Sequence, residues 1–220
     1  GIVGQIVITS GSLTANGAVN FASNTTDANQ VITVTGTGNT TFNSSVVTTA
    51  QANLQDGTLS VTGNGSMTFS NKLTMTGGTV SVSATGTLNF NNADAFSYNT
   101  GSVPTVTTNF GSTLNFNGHL TTAAALTFAD GSISVFTGNA TITSVSLVFG
   151  HLEINAAPTV TLAGNISVTN NWTNLGGTFA PATFGVTFNG TAPQTITKAG
   201  GETFYNLTSN TVGPLTLASA

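Results

Sequence analysis

Residues 57–92 read GTLSVTGNGSMTFSNKLTMTGGTVSVSATGTLNFNN, and this stretch decides the fold prediction. Apolar residues alternate with Thr or Ser in short runs, which is the period of a β-strand with one buried face. Each run ends near Gly or Asn, residues that tolerate the positive φ of tight turns. The stretch therefore predicts short strands separated by turns.

The same pattern continues along the whole chain in loose units of about 12–20 residues, without a fixed period. Even the Ala-rich residues 121–131, the one helical candidate, are flanked by β-branched residues and end in Gly, which favours a strand. We predict a single elongated all-β domain over residues 1–220, a parallel β-solenoid (β-helix) of about a dozen irregular coils with open strand edges at both ends. Equivalent side chains should stack in ladders, which are expected for a recurrent phenylalanine: Phe42, Phe69, Phe90, Phe116, Phe128 and Phe188.

Asn-Gly and Asp-Gly pairs keep a second architecture open. They occur in ANGA, QDGT, FNGH, ADGS and FNGT, and such pairs are typical of two-residue hairpin loops between antiparallel strands. The alternative is a Greek-key β-sandwich that is completed by strand donation from a neighbouring subunit.

The charge content excludes several classes of partner. Charged residues make up 4% of the chain, arginine is absent, and Lys72 and Lys198 are the only cations. This composition offers no basic surface for nucleic acid or an anionic membrane. The lack of a run of about 20 apolar residues predicts no membrane insertion. The lack of cysteine excludes disulfides and thiolate metal sites.

The composition also suggests where the protein works. Chains poor in Lys, Arg and Glu are common among exported surface proteins, and the numbering starts at Gly1 without an initiator Met. We expect an extracellular or cell-surface protein, secreted after removal of a signal segment.

Residues that could carry chemistry are sparse. The six acids are far apart in the sequence, and only Asp130 with Glu153 forms a candidate catalytic pair. His119 and His151 could hold a metal together with Glu153, but solvated turn or hydrogen-bonded corner positions explain these residues better. We predict no enzyme, no catalytic residue, no metal and no cofactor. The acids are Asp27, Asp56, Asp94, Asp130, Glu153 and Glu202.

Repeated Thr-x-Thr motifs raise the hypothesis of ice binding. That function needs a flat, regular array, and the variable unit lengths are expected to spoil the register between coils. Thr is in any case an ordinary strand residue. The motifs are Thr33–Thr35, Thr74–Thr76, Thr141–Thr143, Thr159–Thr161 and Thr195–Thr197.

Two kinds of sugar contact are also candidates. Trp172 and Tyr205 could form a platform for glycan stacking, although the alternative is that Trp172 closes a coil end or packs beside the phenylalanines. Nine Asn-x-Ser/Thr sequons are candidate glycosylation sites: Asn24, Asn39, Asn43, Asn64, Asn139, Asn165, Asn171, Asn189 and Asn206.

Residues 170–219, NNWTNLGGTFAPATFGVTFNGTAPQTITKAGGETFYNLTSNTVGPLTLAS, resemble a Gly/Thr/Asn-rich β-repeat of large bacterial surface-exposed proteins of the filamentous-adhesin-like kind. The rest of the chain resembles that repeat in style only. The resemblance implies a surface-exposed β-solenoid with a structural or adhesive role and no catalytic residues. In those proteins further β repeats usually follow this segment, whereas this sequence stops at Ala220. The matching positions are Trp172, Gly176, Gly177, Phe179, Phe188, Asn189, Gly190, Gln194, Phe204, Tyr205, Asn206 and Leu215.

Two functional hypotheses follow. In the first, the chain is an extracellular structural protein, a subunit of a surface filament, layer or biofilm matrix that joins copies of itself head to tail through its terminal strands. In the alternative, it is an adhesin or carbohydrate-binding stalk module of a larger surface protein, with glycans as partners. The predicted self-assembly residues are Ile2, Val3, Ile6, Val7, Ile8, Leu215 and Leu217.

Overall fold

The computed structural model describes two parts of the chain at different levels of detail. The backbone is described for residues 6–8, 12–15, 19–21, 32–34, 39–42, 45–48, 52–54, 58–69, 72–75, 79–93, 96–98 and 105–219, and side chains only from residue 59 onward. Several residues of the sequence predictions lie outside these ranges: Ile2, Val3, Asn24, Asp27, Asn43, Asp56 and Asp94.

The described residues form short strands and contain no helix. The first nine strands are β1 (Ile6–Ile8), β2 (Ser12–Ala15), β3 (Val19–Phe21), β4 (Ile32–Val34), β5 (Asn39–Phe42), β6 (Ser45–Thr48), β7 (Ala52–Leu54), β8 (Thr58–Val61) and β9 (Ser66–Phe69). The next nine are β10 (Leu73–Met75), β11 (Thr79–Val82), β12 (Thr87–Phe90), β13 (Phe96–Tyr98), β14 (Thr105–Thr108), β15 (Thr113–Phe116), β16 (Leu120–Thr127), β17 (Ile133–Phe136) and β18 (Ala140–Phe149). The last nine are β19 (His151–Ile154), β20 (Thr159–Leu162), β21 (Ile166–Val168), β22 (Trp172–Asn174), β23 (Thr178–Ala180), β24 (Gly185–Phe188), β25 (Gln194–Lys198), β26 (Asn206–Ser209) and β27 (Leu215–Ala218).

The strands stack into three sheets that run along a solenoid. The first sheet has 12 strands and runs from β1 to β26, the second has five and runs from β2 to β14, and the third has 10 and runs from β3 to β27. Every pairing between described strands is parallel, as in β12 with β15 and β25 with β27. The parallel β-solenoid is therefore confirmed, and the Greek-key sandwich, which requires antiparallel hairpins, is excluded.

The third sheet contributes one strand to each coil, so its 10 strands mark ten coils in the described residues. The prediction of about a dozen was slightly high. Coil length varies, because Ile133 stands opposite His151, 18 residues later, whereas Val19 stands opposite Val46, 27 residues later. Most strands keep their register all the same, so most of the extra residues lie in the connections between strands; the exception is β16 with β18, whose register shifts between Thr122 and Ala125.

Three of the dipeptides that suggested hairpins, Asn117-Gly118, Asp130-Gly131 and Asn189-Gly190, lie at corners between strands of different sheets, and the other two lie outside the described residues. The turn at Asp130-Gly131 is closed by a bond from the Ser132 N–H to the Ala129 carbonyl and leads from β16 into β17. Gly118 and Gly190, in FNGH and FNGT, are needed for a different reason: a Cβ at either position would lie 2.1 Å from a carbonyl oxygen of the preceding coil. These glycines allow successive coils to stack closely.

The core is a column of inward-facing side chains between the three sheets. Alternation along β9, β12 and β15 places every second residue inside, where it lies above its equivalent in the preceding coil. The predicted phenylalanine ladder is confirmed for Phe69, Phe90 and Phe116, and Phe136 extends it. Ring centroids are 5.6, 5.1 and 5.2 Å apart from coil to coil, in stacked geometry.

Replacing Phe116 by Ala should lower the stability of the folded chain substantially. Its ring is fully buried and stacks on one ring above and one below, so truncation leaves a cavity that costs about 3–5 kcal/mol. Phe110 is the matched control, because it is 77% exposed and its truncation should change stability by no more than about 0.5 kcal/mol. Urea unfolding followed by circular dichroism compares the two variants. Equal losses would contradict the ladder's role.

Candidate functional site

The last described coil exposes residues whose equivalents in the coils immediately before it are buried. In the strand register, Leu207 of β26 lies opposite the buried Val186 of the preceding coil, and Leu217 of β27 lies opposite the buried Ile196. Leu207 is 44% exposed and Leu217 is 74% exposed. Since both occupy inward positions, their exposure reflects the absence of a further coil over them in the described residues. We call Phe204, Leu207 and Leu217 the end surface.

A shallow pocket of about 160 Å³ opens into this end surface. Ile196 and Phe204 form part of its apolar wall, and Lys198 and Glu202 form a polar part. Phe204 packs against Trp172, Phe179 and Phe188 with ring centroids 5.5, 5.7 and 6.4 Å away. An aromatic cluster thus supports the pocket from beneath and fixes its shape.

A buried polar network lies beside the pocket. One carboxylate oxygen of Glu202, Oε2, accepts hydrogen bonds from Trp172 Nε1 at 3.2 Å and from Asn174 Nδ2 at 2.7 Å. The other, Oε1, lies 3.6 Å from Lys198 Nζ, which also donates to the Gly177 carbonyl at 2.7 Å. The Thr203 N–H also donates to Oε1 at 3.2 Å, so the carboxylate has a cation and three neutral donors, as a buried charge requires.

This network replaces the apolar ladder at the end of the solenoid. In the strand register, Asn174 lies opposite Ile154 of the preceding coil and opposite Lys198 of the following coil. Phe136 occupies the same row two coils before Asn174. Asn174 is buried, and its Oδ1 accepts a bond from the Gly176 N–H. The inward row thus changes from phenylalanine to polar and charged residues as it approaches the end surface.

The predicted glycan platform is wrong for Trp172. Its side chain is fully buried, its ring packs against Phe179 with centroids 4.7 Å apart, and its N–H is bonded to Glu202. No face of the indole is therefore open to a sugar, and the alternative of packing among the phenylalanines is confirmed. Tyr205 is 59% exposed and stays a candidate for glycan contact.

Five of the predicted self-assembly residues are described, and they fall on the outermost described strands of the solenoid, whereas Ile2 and Val3 lie outside the described residues. Leu215 and Leu217 belong to β27, at one edge of the third sheet; Leu215 is half-buried against the core. Ile6, Val7 and Ile8 form β1, the opposite edge of the first sheet. The backbone register places Ile6 and Ile8 in the rows that continue to the buried Leu73 and Met75.

The described sequons lie at exposed or half-buried positions. Asn64, Asn139, Asn165, Asn189 and Asn206 are exposed and Asn171 is half-buried, whereas only the backbone of Asn39 is described. Three of them also join coils, since Asn139, Asn165 and Asn171 accept hydrogen bonds from the Thr159, Gly185 and Thr195 N–H groups. Whether any carries a sugar stays a prediction.

The side chains of His119, Glu153 and Asp130 take part in hydrogen bonds. His119 Nδ1 accepts a bond from the Thr141 N–H at 2.8 Å, and Glu153 Oε1 accepts one from Asn155 Nδ2 at 2.9 Å. Asp130 Oδ1 accepts bonds from Thr169 and Asn170 at 3.3 Å. Within the described ranges, no three His, Asp or Glu residues come close enough to hold a metal ion.

Sequence reasoning did not single out Phe204, Leu207, Asn174, Lys198 or Glu202 as parts of one site. The spacing of Lys198 and Glu202, four residues apart, was a visible signal, but their burial depends on which coil each belongs to. No run of the alternating pattern marks residues 199–204, which contain no strand.

No protein-family model, curated protein or solved structure matches the chain. Among the residues that the structure describes, no helix is long and apolar enough to cross a membrane. The assignment of a function therefore depends on the geometry above.

Replacing Glu202 by Ala should destabilise the end of the solenoid. The change leaves Lys198 without its carboxylate and Trp172 Nε1 and Asn174 Nδ2 without their acceptor, which should cost about 3 kcal/mol. Trp172 fluorescence should shift to the red in the native state, because water would reach the indole.

Glu153 provides the matched control for this variant, because it is half-buried and accepts a single hydrogen bond from a side chain two residues away. Its replacement by Ala should cost less than about 1 kcal/mol and leave the fluorescence unchanged. A Glu202→Ala variant as stable as the parent would contradict the structural role of the network.

The stability of the fold should depend on pH through His151. Burial lowers the pKa of this imidazole from its usual value, and the Glu153 carboxylate opposes part of the shift. The unfolded chain then binds the proton more readily than the folded chain, so stability is fully present above about pH 6.5 and falls as the pH drops below it. His151→Gln should flatten the dependence of Tm on pH between about pH 7 and about pH 5.5. An unchanged slope in the variant would refute the assignment to His151.

Proposed function

We propose that the chain is a structural protein, a subunit of a self-assembling filament or layer that joins copies of itself head to tail. The observation that carries this proposal is the end surface: inward-facing Leu207 and Leu217 are exposed beside a preformed pocket. Covering one leucine completely is worth about 1.5–3 kcal/mol, so a copy that supplied the next coil would gain stability from the same contacts that hold the coils together.

Strand pairing supports the same arrangement. β26 and β27 are edge strands of the first and third sheets, and β1, β2 and β3 are the edges at the opposite end. An edge strand presents unpaired N–H and C=O groups that act as a template for another strand. Because all pairings between the described strands are parallel, a second copy stacked in the same direction would continue each sheet with the same hydrogen-bond pattern.

Such a contact joins two different surfaces, so it does not close on itself unless a rotation brings the copies into a ring. Open head-to-tail stacking gives a filament, and lateral packing of filaments gives a layer. The scarcity of charge, the hydroxyl- and amide-rich surface and the resemblance to bacterial surface repeats support an extracellular or cell-surface location for this assembly.

The alternative, an adhesive or carbohydrate-binding stalk module of a larger surface protein, has less support. Of its two stacking residues, Trp172 is enclosed and only Tyr205 is accessible. In a longer protein, the end surface could be covered by the next coil of the same chain instead of by a second copy, and the behaviour of the 220-residue chain in solution distinguishes the two arrangements.

Replacing Leu217 by Asp should block assembly, because the charge would be desolvated without a partner in the joint. Sedimentation velocity and negative-stain microscopy should show filaments or a growing series of oligomers for the parent chain and monomers for the variant. The matched control is Val145→Asp, because Val145 is 72% exposed and belongs to β18, far from the last coil. The proposal fails if the parent chain stays monomeric at high concentration, or if both variants assemble as it does.

A further inference from the structure

Two parallel rows of small polar residues run along the second sheet. The first row contains Ser12, Asn39, Thr58, Thr79 and Thr105. The second row, two residues further along each strand, contains Thr14, Thr41, Ser60, Ser81 and Thr107. Nine of these ten register positions carry a hydroxyl, and the pairings through the five strands contain no register shift.

Those residues of the array whose side chains are described lie on the outside of the solenoid. Leu59, Val80 and Val106, which lie between the two rows, are buried in the core. Their neighbours therefore point away from it: Thr79 and Ser81 are half-buried at the surface, and Thr107 is exposed. The regular coil spacing separates neighbours within a row by about 4.8 Å, and the two rows are about 6.6 Å apart along the strand.

These outward hydroxyls differ from the polar groups on the third sheet. There, Asn115 Nδ2 donates to Asn89 Oδ1 at 2.7 Å, and Asn89 Nδ2 donates to Thr68 Oγ1 at 3.2 Å, so the side chains satisfy one another. On the second sheet, the hydroxyls of Thr79 and Thr107 have no hydrogen-bond partner among the described residues. The exposed hydroxyl of Thr107 can bond to water or to a surface outside the protein.

A similar row occurs in the first sheet, where register aligns Thr127, Val148, Ser167, Thr187 and Thr208. Four of these five residues carry a hydroxyl. The expectation that variable coil lengths spoil the register is wrong for the five strands of the second sheet, which pair without a shift.

The face has the chemistry of a surface that binds ordered water. None of its ten register positions carries a charge or an aromatic ring, so neither ion pairing nor stacking on sugar rings is available there. Threonine has a restricted χ1, and the sheet fixes the backbone, so little conformational freedom is lost when a rigid lattice binds. A rigid array of hydroxyls with fixed spacings can hold water molecules in a repeating arrangement.

We propose that the outer face of the second sheet binds the surface of ice. Its hydroxyl rows hold a layer of water in an ice-like arrangement, and that layer joins the protein to the crystal. The Thr-x-Thr motifs noted in the sequence do not build this array, because β4, β10, β18 and β20 belong to the first sheet and β25 to the third. This binding does not depend on head-to-tail assembly, since a single chain carries both rows.

The test is inhibition of ice recrystallisation together with the shape of single ice crystals grown in the protein solution. The parent chain should inhibit recrystallisation at micromolar concentration and facet the crystals. Thr79→Tyr and Thr107→Tyr each place a ring in the array that holds the protein face away from the ice surface. Each variant should therefore raise the protein concentration needed to inhibit recrystallisation by about tenfold or more. Thr107 is exposed, so its variant should fold like the parent, which circular dichroism verifies.

Thr173→Tyr is the matched control, because Thr173 is a half-buried outward residue of β22 on the third sheet. It should inhibit recrystallisation as well as the parent chain does. The Leu217→Asp variant, which should not assemble, should inhibit recrystallisation as the parent chain does, since a single chain carries both rows. The proposal is overturned if the parent chain has no more effect than an unrelated protein at equal concentration, or if Thr173→Tyr loses as much activity as Thr107→Tyr. Retention of the parent chain on crystalline cellulose or chitin, without any effect on ice, would instead assign the face to a polysaccharide.

Discussion

Parallel, in-register hydrogen bonding between successive coils is the constraint on which this structure depends. Adjacent strands in a sheet lie about 4.8 Å apart, and every strand of one coil fixes the position of its equivalent in the next. A side chain is therefore covered mainly by the residue at the same position one coil away. Phe90 illustrates this, because its ring lies between those of Phe69 and Phe116 and its coil has no separate core of its own.

The same constraint makes the ends of the solenoid different from its middle. A coil in the middle is covered on both sides, whereas Leu207 and Leu217 occupy core positions in the last described coil and remain exposed. Close to this end, the core row becomes polar, with Asn174 and Lys198 gathered around Glu202. A row made only of similar apolar residues would allow neighbouring coils to shift along the strand direction, since each shift by two residues preserves the alternation. A buried ion pair with fixed donors matches only one register, a role that such groups have in other repetitive folds.

Local sequence patterns were sufficient to predict the strands, because alternation of apolar and polar residues has the period of a half-buried strand. They also predicted that Phe69, Phe90 and Phe116 would stack, since all three end similar strands. The number of coils was harder to obtain, because Gly and Asn occur at every corner and nothing in the sequence marks the corner at which a coil is complete. The burial of Trp172 and the hydrogen bond between Asn174 and Glu202 could not be predicted for the same reason. Each joins residues from different coils, so it depends on where each coil begins and ends. The sequence shows which residues form a sequon or carry an aromatic ring, but whether they are exposed follows only from the arrangement of the coils.

Variable coil length and a regular surface are compatible because they concern different parts of the coil. An insertion at a corner lengthens the connection without changing which residues of two neighbouring strands are hydrogen-bonded. Thr79 therefore remains opposite Thr105 although 26 residues separate them, and it remains opposite Thr58 although only 21 do. A face of the solenoid can keep a fixed two-dimensional spacing while the corners vary freely in length and composition. The regularity of a face should therefore be judged from the register of its strands. The total length of each repeat is a poor guide, because it also includes the corners, which vary.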